Sequence, residues 1–179
     1  MTAMPQGNSS DAYVTPGVQN SWSAVAPDSG SRSSNRLLAV TTIEPADTVR
    51  DELRLGPGDR VVVRDRLIML EDRPAELASS YYPAVIAAGT PLADAKKIRG
   101  GAVTALSDLG FATADVTEQV TARLPTAEEA ALLDISSDEP LIALSRTSRD
   151  AAGRPIEYAV NRMVARLTGP VVYRMGTPR

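Results

Sequence analysis

The sequence predicts an α+β domain built on an antiparallel sheet, and three observations predict it. Short β-prone runs outnumber helical ones, they come in pairs joined by turn residues, and the helical stretches between them are short. Hydrophobic residues make up 43% of the 179 residues but aromatics only 4%, so the core has to be assembled from Val, Leu, Ile and Ala. One domain plus a tail fits this length, and two full domains do not.

Residues 1–35 read as a tail. They are rich in Ser, Gly, Asn, Pro and Gln, and their apolar residues follow no sustained period. Such a composition buries too little apolar surface to offset the entropy of ordering. Trp22 stands alone in this stretch, either as part of a disordered tail or as a docking residue. The folded domain is expected over 36–179.

Within it, Leu37–Ile43 (LLAVTTI) is a β-prone run, and Pro45–Leu55 is a helix with Ala46, Val49 and Leu53 on one side. After the turn Gly56–Asp59, Arg60–Leu70 and Ala75–Tyr82 form a hairpin about Glu71–Pro74. A helical turn is expected over Pro83–Ala88, Thr90–Arg99 is ambiguous, and Gly101–Leu109 is a helix ended by Gly110. Thr113–Leu124 alternates as a strand. Thr126 and Glu129 have capping-box spacing and open a helix through Leu133. Leu141–Arg149 and Ile156–Val164 are strands about the turn Asp150–Arg154, and Val171–Met175 is a candidate last strand.

Composition also limits the chemistry. There is no cysteine and no histidine, which removes disulfides, thiolate sites, the commonest metal ligand and the commonest general base. No cofactor or metal is expected. The net charge of −3 makes the chain a poor partner for DNA phosphates, so no direct DNA binding is expected. No apolar run reaches membrane-spanning length and the start is no secretory signal, so the expected location is the cytoplasm.

Three features can carry function. Arg64 and Arg66 share a strand face, which suits a carboxylate or phosphate, or else they are solvated residues pairing with Asp65, Glu71 or Glu76. Glu157 and Tyr158 open a strand just after a turn, and Ser79–Tyr82 form a polar cluster. Gly100–Gly101 before a helix fits an anion site or a simple turn, and Asp134, Asp138 and Glu139 lack metal-loop spacing.

Taken in order, RVVVRDRLIMLEDRPAELASSYYP, GTPL, GGAVTALSDLGF, VTEQVTARLPTAEEAALLDI, EPLIALSRTSRDAAGRPIEYAV and VVYRM resemble the UTRA effector-binding domain of GntR-family regulators, HutC subfamily, in its actinobacterial style. The resemblance covers about Leu37 to Met175. It implies a fold similar to chorismate lyase, a homodimer, and a small-molecule effector. It further implies a ligand site in which Arg66 matches the first of two strand arginines and Glu157 a late glutamate. Three positions depart from the pattern: Ile68 stands for the second arginine, Ala78 for a strand glutamate and Met163 for a tyrosine. Arg64 is on hand as a substitute arginine, and Ser80 and Tyr158 complete the candidate set.

A ligand with one carboxylate or other polar end and an apolar body is therefore expected, on a pocket more apolar than a phosphosugar site. Arg66 would need an acid, either Glu157 or the ligand. Full-length relatives carry a winged helix-turn-helix before this domain, and no such segment is legible here. The expected function is a ligand sensor without its own DNA-binding domain. The alternatives are an enzyme using the same pocket in secondary metabolism, with Glu157 and Tyr158 or Tyr81 moving protons, and an interaction protein pairing with a full-length GntR-type regulator.

Overall fold

A computed structural model of the chain describes residues 33–168 and 171–173. The tail reading and Trp22 fall almost wholly outside the described residues, but Ser33–Asn35 already belong to a strand. The elements run β1 (Ser33–Ile43), α1 (Asp47–Glu52), β2 (Val61–Leu70), β3 (Arg73–Pro83), α2 (Ala84–Ala87), α3 (Gly101–Asp108), β4 (Asp115–Arg123), α4 (Ala127–Leu133), β5 (Leu141–Arg149), β6 (Pro155–Val164) and α5 (Ala165–Thr168). The strands form one sheet in the order β1-β2-β3-β6-β5-β4, every pairing antiparallel. The α+β class expected from the sequence is the observed one.

Local chemistry explains most boundaries. The β2–β3 turn needs only Glu71 and Asp72, both at positive φ (48° and 65°), the backbone that matches the twist of flanking strands. The β5–β6 turn is tied by Asp150, whose carboxylate accepts from the backbone of Ala152 (3.0 Å) and Arg154 (2.9 Å) and from the Arg154 guanidinium (2.7 and 3.0 Å). Helix α4 opens on the expected capping box: Thr126 Oγ1 accepts from the Glu129 amide at 3.2 Å, and Glu129 Oε2 accepts from the Thr126 amide at 2.9 Å. One reading is corrected at the C-terminus. Residues 165–168 turn into α5, and Val171–Tyr173 form no strand; the rest of the candidate last strand lies outside the described residues.

Both faces of the sheet carry core. On one face, Val49 of α1 and Leu53 at its C-cap pack with Val61, Val63 and Tyr158, and Leu133 of α4 packs with Leu67, Leu77, Leu141 and Val164. On the other, α2, α3 and Leu92 pack over Val62, Tyr82 and Ile156, while Ile68, Ala75, Leu144 and Met163 form a second cluster. The site lies between these last two clusters.

The α4 cap also makes a pH prediction. Glu129 accepts two hydrogen bonds from Arg123 (2.6 and 2.7 Å), which with the Thr126 amide hold its carboxyl down at about 2. A carboxyl depressed on folding contributes stability that is present above the ordinary value near 4.3 and lost as pH falls toward 2. Arg123 is 40% exposed, so solvent screening reduces the contribution to about 1 kcal/mol. Urea unfolding of Glu129→Gln should show a deficit against the unchanged protein at pH 6 that closes as pH drops from about 5 toward 2. A constant deficit would mean that the charge is not what the cap uses.

Candidate functional site

Strand pleating places the site. Residues two apart on a strand share a face, so Arg64, Arg66 and Ile68 of β2 line up beside Glu76, Ala78, Ser80 and Tyr82 of β3 and Glu157, Ala159 and Asn161 of β6. The register puts Arg64, Ser80, Ala159 and Arg146 in one row across four strands, and Arg66, Ala78, Asn161 and Leu144 in the next. The middle of both rows is occupied by small side chains. Ala78, Ser80 and Ala159 cannot reach the layer of α3 above them, and a cavity of about 510 Å³ remains. Its other walls come from Ser33, Ser34, Asn35 and Leu37 of β1 and from residues 97–103, where Gly100 and Gly101 lead into α3.

Arg64 and Arg66 both face this cavity but behave differently. Arg64 is buried, and its guanidinium donates to the backbone carbonyls of Leu92 (2.8 Å), Asp94 (2.7 Å), Lys96 (2.7 Å) and, more weakly, Pro91 (3.4 Å). Burial lowers its proton affinity from the ordinary value, but the carbonyl dipoles replace lost water. Arg64 fastens the segment between α2 and α3, and its guanidinium is engaged by those carbonyls although it lines the cavity. Neither Arg64 nor Arg66 pairs with Asp65, Glu71 or Glu76 in an ion pair.

Arg66 has one protein partner, the Ser80 hydroxyl at 2.9 Å. Its Nε is buried with no acceptor, and no carboxylate among the described residues lies within ion-pair distance of it. Glu157 is 8% exposed and accepts a hydrogen bond from the Tyr82 hydroxyl at 2.7 Å, not from Arg66. Burial and the Glu157 charge push the Tyr82 phenol far above its usual range, while Arg66 opposes them. Tyr82 therefore stays a protonated donor, and both charges act on it from the same cavity. Arg66 and Glu157 stand two strands apart with β3 between them, not on neighbouring strands, yet line one space.

The other candidates divide. Ile68, Ala78 and Ser80 line the cavity as expected. Tyr158 does not: next to Glu157 in β6, it turns to the opposite face, where it packs with Val49, Leu53 and the Tyr81 ring (centroids 6.1 Å apart). Met163 is on the cavity face but is buried in the apolar cluster with Ile68, Ala75 and Leu144, beyond the cavity's end. The walls are also less apolar than expected, because Glu76, Tyr82, Arg146 and Asn161 join them. Arg146 meets Glu118 at 2.6 Å on the β5–β4 pair. Counting in twos from Glu157 reaches Asn161, and from Ser80 reaches Glu76 and Tyr82, so these were open to the same-face rule. The β1 wall gave no such signal.

An antiparallel sheet that encloses a polar cavity over a floor of small residues, with a guanidinium aimed into it, defines a small-molecule-binding domain, of the kind that GntR-family transcription regulators use for their effectors. Residues 28–167 match the UTRA domain family, and the chain belongs to that family. It is 32% identical over 139 residues to the HTH-type transcriptional regulator SCO4628 of Streptomyces coelicolor, covering 76% of this chain and 52% of that protein. The chain thus spans about half the length of that relative. Its fold is similar to the effector domain of PhnF from Mycobacterium smegmatis (20% identity, 87% of this chain and 95% of that one, TM-score 0.75). It is also similar to the ligand-binding domain of a GntR-family regulator from Bordetella bronchiseptica (22% identity, 82% and 90%, TM-score 0.70). No described helix is long and apolar enough to cross a membrane.

Proposed function

We propose that this chain is the ligand-sensing part of a GntR-type transcription regulator, and that its effector is a small acid seated on Arg66. The observation that carries this is the Arg66 guanidinium, which reaches into the cavity, holds only Ser80, and keeps a buried Nε without an acceptor. A buried N–H without a partner costs free energy of about 1–3 kcal/mol, and an anion in the cavity removes that cost. The ligand's body meets Ser80, Asn161 and Tyr82 as well as Ile68 and Ala78, so it is a compact molecule with polar groups along its length rather than a long apolar tail. Self-association belongs to this reading, since β1 and β4 are the edge strands of the sheet among the described residues.

A thermal-shift screen of the purified chain against small metabolite acids tests the reading. At least one acid should raise the melting temperature in a saturable way and be recovered unchanged. A screen in which only neutral compounds bind would overturn it. Consumption of the bound acid would move the protein from sensor to enzyme.

A further inference from the structure

The cavity holds two opposite charges that do not answer each other: Glu157 is buried, and Arg66 is half-buried with its Nε enclosed. Arg66 holds only the Ser80 hydroxyl, and Glu157 holds only the Tyr82 hydroxyl, through Oε1. Buried ionised groups are ordinarily paired, because a charge taken from water without a counter-charge is costly. Tyr82 and Ser80 are neutral, so neither supplies that counter-charge. Both line the same space from separate strands, β2 and β6, with Ala78 and Ser80 of β3 in the floor between them. A second acid, Glu76, is buried in the same cavity wall. A plain carboxylic acid would satisfy Arg66 and leave Glu157 facing a neutral or repulsive neighbour.

From this arrangement we propose that the effector is a zwitterion of amino-acid type, with its carboxylate on Arg66 and its ammonium group on Glu157. The proposal rests on the acid-sensing reading above and adds the cationic group. The free Oε2 of Glu157 and the Tyr82-bound Oε1 give the ammonium two acceptor positions. Because one ligand answers both charges, its affinity depends on carrying both at once. Neither Lys97 nor Arg99, exposed at the rim, competes for Glu157.

The test uses the whole chain and matched compounds: the proteinogenic amino acids, their 2-hydroxy and 2-oxo acids, and the corresponding decarboxylated amines, measured by thermal shift and then by calorimetry. At least one amino acid should bind, with its 2-hydroxy and 2-oxo counterparts and its amine each weaker by about tenfold or more, the loss of one charge-assisted contact. Glu157→Gln, which still accepts from Tyr82, should erase the preference for the amino acid over its 2-hydroxy acid while leaving the melting temperature of the empty protein in place. Arg66→Ala should weaken both. If the hydroxy or oxo acid binds as well as the amino acid and Glu157→Gln changes nothing, the zwitterion is wrong and the acid-sensing reading stands. If Arg66→Ala leaves every ligand unaffected, both fail. A panel in which no amino acid binds also overturns the proposal.

Discussion

Replacing Arg64 with Met should cost about 3–5 kcal/mol of stability, the sum of several charge-assisted hydrogen bonds, and lower the melting temperature by about 10 °C or more. Methionine fills similar volume but donates nothing, so the carbonyls of Leu92, Asp94 and Lys96 lose the donor that gathers them. Those carbonyls hold the segment that carries Leu92 into the core beside Val62, Tyr82 and Leu106, so part of that packing is lost with them. The desolvation of a buried guanidinium offsets some of the gain, which keeps the figure below the simple sum of four bonds. Chemical denaturation gives the number, and hydrogen exchange should show amides from 91 to 103 opening first. A loss under about 1 kcal/mol would mean that the segment is held by Leu92 alone.

Arg66→Ala, two residues along the same strand face, should do the reverse. Binding of the effector should weaken by about 1.5–3 kcal/mol, or roughly 10- to 150-fold, the range for a hydrogen bond to a charged group. Stability should hold or rise slightly, because the substitution removes one bond to Ser80 and a buried Nε that has no acceptor. Calorimetry on the acid found in the screen, beside a melting curve of the empty variant, separates the two effects. A variant that unfolds as Arg64→Met does would show Arg66 to be a structural residue. One that binds the acid normally would remove it from the site.

Much of this was open to a reading of residues in order. The hairpins announced themselves through Asp150–Arg154 and Glu71–Asp72, the α4 start through Thr126 and Glu129, and the shared face of Arg64 and Arg66 through the strand period of two. The same period also argues against Tyr158, since a residue adjacent to Glu157 must point to the other side of the sheet. Its exclusion needed only that rule and a decision about which face holds the ligand.

What the order of residues determined by itself is local: element type, turn chemistry, capping, and which side chains share a strand face, because each depends on spacings of two to four residues. Which charges are satisfied was decided only by the tertiary structure. Arg64 and Arg66 are equivalent by pattern, and they part company because a segment some 30 residues away lays its carbonyls over one and leaves a cavity over the other. Glu157 was free to pair with Arg66 on sequence grounds, but Tyr82, 75 residues earlier, takes it instead. Met163 keeps the correct face and still misses the ligand space, since the cavity ends where the small residues of its floor end. Partnership between side chains is set by strand order and by what packs above the sheet, and neither is written in the spacing along one strand.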